Sequence, residues 1–300
     1  MNDGYATLRM KDSDSSNDHL RLIHALDLST KSVLAFMSVL RRSGMQRSSR
    51  VDYDAIAELY DSTPHREKSA DPELIAFLAG CGPAASLTLL DIACGTGNQQ
   101  IANRALAPDA RFVGLDGSLG MLRQAQRKMP DIAWVYGNSA ALPFASGSFD
   151  FVSCQYAFHH FLDKAGMLRE ALRVLRRGGR FALYNMCPQE SDDWLYYAYF
   201  PEAKSRDFAD FWPPNAIVSE MSATGFAGVE VQRRHVYRER ELAELLSAMR
   251  FRERNSQLLS LSDAAYAAGL RRIERDLDDP QTPKMRAEHL CFVTVRGDRR

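Results

Sequence analysis

The chain has no pair of cysteines at short spacing. Its five cysteines, Cys81, Cys94, Cys154, Cys187 and Cys291, are odd in number and scattered. A disulfide scaffold or a zinc site is not expected from that spacing, and no metal ligand set is assigned. A reducing compartment is the natural setting for such thiols. Long apolar runs are missing too. No N-terminal stretch reads as a signal peptide, and no segment approaches the length of a membrane span. A soluble, cytoplasmic protein is expected. Charge of one sign is also absent, with 38 Lys plus Arg against 38 Asp plus Glu. Such balance gives no general attraction to nucleic acid or to a membrane surface.

The 300 residues are 45% hydrophobic. That is enough for one large domain, or for a domain with a substantial cap. Residues 1 to 19 are polar and need not fold. Residues 20 to 42 read as one or two short amphipathic helices, followed by the basic connector "SGMQRSSR". Residues 1–50 are therefore expected to be a flexible or accessory helical extension, and 51–300 the main domain.

From Tyr53 the pattern tightens. "YDAIAELYDS" reads as a short helix with Ile56, Leu59 and Tyr60 on one side. "DPELIAFLAG" reads as another, opened by Asp71-Pro72 and closed near Gly80. Strands and helices then alternate. "LTLLDI", "ARFVGLD", "IAWVYGN", "FDFVSCQ" and "GGRFALYNM" are strands. "NQQIANRALA", "SLGMLRQAQRKM" and "KAGMLREALRVL" are helices, the second capped by Ser118. Such alternation gives an α/β fold whose parallel sheet is covered on both faces. "NAIVSEMSATGF" is a further helix, stopping at Gly225. "GVEVQRRHVY" and "HLCFVTVRG" are strands expected to lie side by side, with a long helical insertion between them.

The stretch "LTLLDIACGTGNQQIANRAL", residues 87 to 106, places a glycine turn between a strand and a helix. Three ligands compete for it. A nucleoside triphosphate would need Lys followed by Ser or Thr after the last glycine. Asn98 and Gln99 stand there, so that reading fails. A dinucleotide fits better, because Asp116 ends the next strand where an acid can accept from ribose hydroxyls. The third glycine of that fingerprint, however, falls at Gln100. Asp91 also sits at the strand end before the turn, where an ammonium is favoured and a pyrophosphate is not. The remaining ligand is a nucleoside without phosphate.

"LLDIACGTGN", "VGLDGSLGMLRQA", "GNSAALPFASGSFDFVSCQYAFHHF" and "LREALRVLRRGGRFAL" resemble the class I S-adenosylmethionine-dependent methyltransferases, most closely the small-molecule branch that includes the UbiE-like enzymes. The likeness covers roughly residues 51 to 235. It implies a Rossmann-like fold with a seven-stranded, mostly parallel sheet, an antiparallel final strand and a helical cap or insertion. It further implies S-adenosylmethionine as cofactor. The expected activity is methyl transfer to a small, aromatic or lipophilic acceptor, of the kind found in secondary metabolism. An RNA methyltransferase and a non-catalytic cofactor-binding protein are the alternatives.

By that resemblance Gly95 and Gly97 pass under the methionine part and ribose, with Ala93 in the same turn. Asp91 sits near the amino group and Asp116 holds the ribose hydroxyls, although either acid could instead be a solvated strand end. Gly117 and Met121 lie beside the adenine. Asn138 stands where an aspartate is commoner and can accept from the adenine amino group; Ser139 offers backbone contacts. Gln155 and Tyr156 line the reactive side. Tyr60 belongs to a lid over the cofactor. Tyr53 and Arg66 face the acceptor, and Arg66 can meet a carboxylate or lie on a solvated surface.

Methyl transfer from a sulfonium needs alignment and exclusion of water more than an elaborate catalytic group. An acidic acceptor needs at most a base, for which His160, His159 and His235 are candidates. A structural hydrogen bond is the competing reading for His160 and His159. Residues 186–214 and 239–288 are expected to cap the substrate. The first is dense in aromatics, among them Trp194, Tyr197, Phe200 and Trp212. These either line an apolar cavity or form a small helical core. "MRFRERNSQLL" and "LRRIERD" interleave bases with acids and read as solvated helix faces. No nucleic-acid partner is expected, and the chain is expected to be a monomer or homodimer.

Overall fold

The computed structural model describes residues 51–62, 66–81, 86–191 and 193–300. The extension expected over 1–50 lies outside the described residues, as do 63–65 of the "STPHREK" stretch. The strands are β1 Thr88–Ile92, β2 Arg111–Asp116, β3 Ala133–Tyr136, β4 Phe149–Gln155, β5 Leu175–Met186, β6 Ala227–Glu241 and β7 Met285–Asp298. They form one sheet in the order β3-β2-β1-β4-β5-β7-β6. The first five run parallel, while β7 is antiparallel to both β5 and β6. This is the expected seven-stranded Rossmann-like architecture.

Side chains on a strand alternate between faces, and β1 shows how both faces are buried. Leu90 and Ile92 join one core with Val113, Leu115, Val152 and Leu183. Leu87 and Leu89 join another with Phe112, Trp134, Phe151 and Ala182. The helices α1 Pro72–Ala79, α2 Asn98–Arg104, α3 Leu119–Lys128 and α4 Lys164–Val174 connect and cover these strands. Asp71 caps α1 by accepting from the backbone N–H of Glu73 and of Leu74, and Ser118 caps α3 by accepting from Met121. At the place of the missing third glycine, Gln100 is buried and donates to the Val113 carbonyl at 3.0 Å. A side-chain hydrogen bond thus fills the gap that a glycine would leave for close helix packing.

One expectation changes and two become specific. The segment 53–62 is a run of turns ending in a short 3-10 helix, Tyr60–Ser62, and Leu59 is exposed. Its packing onto α3, rather than its own helical periodicity, holds it in place. The expected helical insertion divides into α8 Leu242–Met249, α9 Ser256–Leu259 and α10 Asp263–Asp278, with a 3-10 turn at Arg252–Arg254. Its edges are strand as well, because β6 runs on to Glu241 and β7 begins at Met285. Of the two readings of the aromatics of 186–214, the small helical core is the one that holds for most of them, in a second core. Here α5 Leu195–Tyr199 and α6 Pro201–Asp210 pack Trp194, Tyr196, Tyr197 and Phe200 against Leu245, Leu246, Ile273 and Leu290. Helix α7, Pro214–Thr224, ends at Gly225 with φ 110°, as expected for a left-handed stop.

The β6–β7 hairpin outruns its neighbour. Met186, the last residue of β5, pairs with Phe292, while β6 and β7 stay paired as far as Glu241 and Met285. The seven residues from Met285 to Cys291 therefore project about 20 Å past the C-terminal end of β5. The inserted helices hang from that projection, above the carboxyl ends of the parallel strands.

Candidate active site

A cavity of about 500 Å³ opens at the carboxyl ends of β1, β4 and β5. Strand order reverses between β1 and β4, and ligands of open α/β sheets bind at such a switch point. Asp91, Ala93 and Gly95 come from β1 and its turn, Gln155 and Tyr156 from β4, Asn185 and Met186 from β5. Tyr53, Ile56 and Tyr60 close one side, Arg234 and Phe292 of the hairpin another, and residues 253–257 of the insertion a third.

The turns here have unusual backbones. Ala93, Gly95, Gly97 and Tyr156 all have φ between 54° and 79°. Left-handed residues with side chains are uncommon, cost of order 1–3 kcal/mol, and cluster at functional sites. Ala93 and Tyr156 are the only described residues besides glycine with positive φ, and both line this cavity. A Cβ on Gly95 would meet nothing within 4 Å, so its bare backbone faces open space. Gly97 differs: a Cβ there would fall 2.5 Å from the Trp134 ring.

The two strand-end acids are buried. Asp91 accepts from Ser153 Oγ at 2.9 Å, and burial pushes its carboxyl up to about 7. Ser153 opposes that rise, while nearby Asp71 adds to it. Asp116 accepts from the Gly95 N–H and the Ser118 N–H, each at 2.8 Å. Burial raises it to about 6 against those two bonds. Asp116 thus joins the glycine turn of β1 to the start of α3.

The segment 53–62 lies across that junction. Ile56 and Ala57 pack on Met121, with Tyr53, Tyr60 and Leu259 around them. Asp54 accepts from Ser118 Oγ at 2.8 Å and from the Gly120 N–H at 2.6 Å. Asp61 accepts from Thr96 Oγ1 at 2.7 Å and from Lys128 Nζ at 2.7 Å. Arg66 donates to Tyr60 Oη at 2.8 Å. The segment expected as a lid is thus tied by the carboxylates of Asp54 and Asp61 to both α3 and the glycine turn.

The 3-10 turn Phe158–His160 after β4 brings both histidines into the cavity. Tyr53 Oη lies 2.7 Å from His160 Nε2. Burial drives His160 down to about 4. His159 stacks on Phe211 at 3.8 Å, and its Nδ1 lies 3.2 Å from Asn185 Oδ1. That oxygen also accepts the backbone N–H of Met186 at 3.0 Å, which fixes the amide orientation. An amide oxygen only accepts, so His159 Nδ1 carries the hydrogen and Nε2 keeps its lone pair. His159 Nε2 and Asn185 Nδ2 are both buried without a partner. Burial first, then His160 beside it, holds His159 well below the usual imidazole range.

The cavity brings together Tyr53, Tyr60, Arg66, Asp91, Ala93, Gly95, Gln155, Tyr156, His159, His160 and Trp194 of the expected residues. Gly97, Asp116, Gly117, Met121, Asn138 and Ser139 do not line it; Met121 is covered by the lid. Asn138 Oδ1 accepts from Ala140 N–H at 2.9 Å and so is engaged in its own turn. Tyr197, Phe200 and Trp212 are not in the cavity. Tyr197 and Phe200 belong to the second core, and Trp212 packs on Phe158 with ring centroids 5.6 Å apart. His235 lies outside it as well, exposed and 2.9 Å from His289. Sequence reasoning missed Asn185, Arg234, Arg254 and Phe292. Asn185 is a polar residue near the end of an apolar strand, a signal that was present. The other three depend on hairpin register and helix placement.

A family model described as a methyltransferase domain matches residues 90–183. The demethylmenaquinone methyltransferase of Thermotoga maritima is 36% identical over 162 residues, 46% of this chain and 69% of that protein. Its namesake from Thermus thermophilus is 30% identical over 46% of this chain and 74% of its own length. The Lactococcus lactis protein of the same name is matched over only 42% of its length, at 37% identity. Among solved structures, the Haemonchus contortus phosphoethanolamine N-methyltransferase 2 in complex with S-adenosyl-L-methionine superposes with a TM-score of 0.53 at 20% identity. That match covers 83% of this chain and 58% of the other.

Proposed function

Because the chain belongs to the class I S-adenosylmethionine-dependent methyltransferases and acts on small molecules, we propose that its acceptor is an aromatic or lipophilic compound with an ionisable hydroxyl, deprotonated by His159. The observation that carries this reading is the buried, unpartnered Nε2 of His159 beside the unpartnered Nδ2 of Asn185. One can take a proton from an acceptor hydroxyl. The other can donate to an oxygen of the same molecule. The relatives named above act, by their names, on a demethylmenaquinone, which agrees with an aromatic acceptor.

The residues present fit the cofactor. Gly95 faces open space without a side chain, and Asp91 is a carboxyl that burial raises, at the edge of the same space. Asp91 would face the cofactor's ammonium, Gln155 and Tyr156 its reactive side, and Asp116 the ribose hydroxyls beneath the lid. Gly117, Met121, Asn138 and Ser139 would border the adenine. When bound, S-adenosylmethionine supplies a methyl group already activated on a positive sulfur. The chain's own tasks are then alignment, exclusion of water and removal of the acceptor's proton. Because burial disfavours its charged form, His159 stays neutral and its Nε2 lone pair is open to a proton. Tyr53 and His160 form a bonded pair at the lid that closes the same compartment.

The test is turnover of S-adenosylmethionine by the full chain against phenolic, quinol and carboxylate acceptors. Methylation of a hydroxylated aromatic that collapses in His159→Ala supports the reading. Methylation confined to amines, or unchanged by that substitution, overturns it.

A further inference from the structure

The strands that line the cavity have a second face. Arg234 and Phe292 point into the cavity. Their neighbours His235 and Cys291 therefore point the other way, and the two are directly paired across β6 and β7. The turn Pro188–Glu190, which follows β5, lays Glu190 over the same face. One ligand atom from each of Glu190, His235 and Cys291 lies within 4.8 Å of the others. Cys291 is buried, Glu190 half-buried and His235 exposed, so the cluster is walled on the inside and open on one side.

We propose that Glu190, His235 and Cys291 bind a single zinc-like divalent cation, at a site separate from the methyl-transfer cavity. A thiolate, an imidazole and a carboxylate are the ligand set that suits a borderline-soft cation and disfavours Mg²⁺ or Ca²⁺. Three protein ligands leave the fourth tetrahedral position to water on the open His235 side. Each ligand is already oriented. His235 and Cys291 are fixed by strand register. Glu190 is held by Arg233 Nε at 3.1 and 3.0 Å and lies 3.7 Å from Cys291 Sγ. Nδ1 of His235 lies 2.9 Å from Nε2 of His289; with Nδ1 as donor, the other nitrogen keeps its lone pair, the arrangement common to metal-bound imidazoles. On binding, the Cys291 thiol gives its proton to solvent and its sulfur to the cation. The Arg233 guanidinium competes for Glu190, so the site binds more weakly than one without it.

The consequence is a staple. Cys187 N–H donates to the Cys291 carbonyl at 2.9 Å, and Cys291 N–H donates to Ser191 Oγ at 2.9 Å. A cation would add a further tie between the 187–191 turn and the β6–β7 pair, just before Trp194 reaches the cavity.

The experiment uses the full chain, stripped with a chelator and reloaded with Zn²⁺ or Co²⁺. The parent protein should retain about one equivalent after gel filtration, with a thiolate-to-cobalt charge-transfer band and a higher Tm. Cys291→Ser and His235→Ala should each lower Zn²⁺ affinity about 10-fold or more, and Cys291→Ser should lose the band. Cys81→Ser, which changes a thiol elsewhere, should leave both unchanged. His235 is exposed, so its variant tests the site without touching the core. No retained metal in the parent, or parent-like affinity in either ligand variant, overturns the proposal.

Discussion

Nδ1 of His159 stands 3.2 Å from Oδ1 of Asn185, an oxygen that a backbone N–H from Met186 already holds in place. The pair sets the imidazole tautomer much as an acceptor behind a catalytic histidine does in other enzymes. His159→Ala should lower kcat by about 10² to 10⁴, the usual contribution of a general base. Asn185→Leu should lower kcat by a smaller factor with little change in the cofactor's Kd, because it frees the ring without removing it. Asn185→Asp keeps an acceptor and should restore most of the loss. Steady-state kinetics separate these outcomes; equal kcat in Asn185→Leu and the parent would remove Asn185 from the mechanism. His160→Ala should cost less, since the His160 Nε2 is already engaged by Tyr53.

Asp91 should make cofactor affinity depend on pH. Burial lifts its folded-state carboxyl to about 7. Below that pH the group is largely neutral and offers little to an ammonium. A bound cation favours the ionised form, so binding expels a proton. Affinity should therefore rise as pH increases from about 5.5 to 7.5 and then level off. Calorimetry in buffers of different ionisation enthalpy should register the released proton. Asp91→Asn should bind more weakly and flatten the profile; an unchanged slope in that variant would place the titrating group elsewhere.

Asp116 carries two loads. It accepts backbone N–H bonds from Gly95 and Ser118, and it stands at the strand end where ribose hydroxyls are expected. Asp116→Ala should weaken cofactor binding about 10- to 100-fold, the worth of one or two charge-assisted hydrogen bonds. It should also lower Tm, because buried N–H groups lose their acceptor. Asp116→Asn retains an acceptor oxygen and should spare Tm more than affinity. A folded Asp116→Ala protein with unchanged affinity would remove the ribose assignment.

Local pattern carried the parallel half of the fold. Strand ends at Ile92, Asp116 and Gln155, and caps at Asp71 and Ser118, stand where turn chemistry and periodicity put them. What pattern could not carry was tertiary. Tyr197 and Phe200 look like pocket aromatics in a list, but only the packing of α5 against α8 and α10 shows that they fill a core. The segment 53–62 has helical spacing and yet takes its shape from bonds made by Asp54 and Asp61 to α3 and the glycine turn. Arg234 and Phe292 reach the cavity because a hairpin outruns its sheet, a matter of register that composition does not contain. Cysteine spacing excluded a contiguous metal motif, whereas Glu190, His235 and Cys291 meet only through β6–β7 pairing.

Gly97 and Trp134 give a test that separates backbone strain from crowding. Gly97 has φ 79°, and a Cβ there would lie 2.5 Å from the Trp134 ring. Gly97→Ala should lose about 1–2 kcal/mol for the left-handed backbone and about 1–3 kcal/mol more for overpacking. Trp134→Leu should be destabilising on its own, since the indole is buried and its Nε1 donates to the Met129 carbonyl at 2.9 Å. The double variant removes the ring atoms that the new methyl would strike. Its loss should fall short of the sum of the two single losses by at least about 0.5 kcal/mol, a coupling expected only between touching groups. Chemical denaturation of the four proteins measures this. Strict additivity would mean that the cost of Gly97→Ala lies wholly in the backbone, and that the indole does not form the floor beneath the glycine turn.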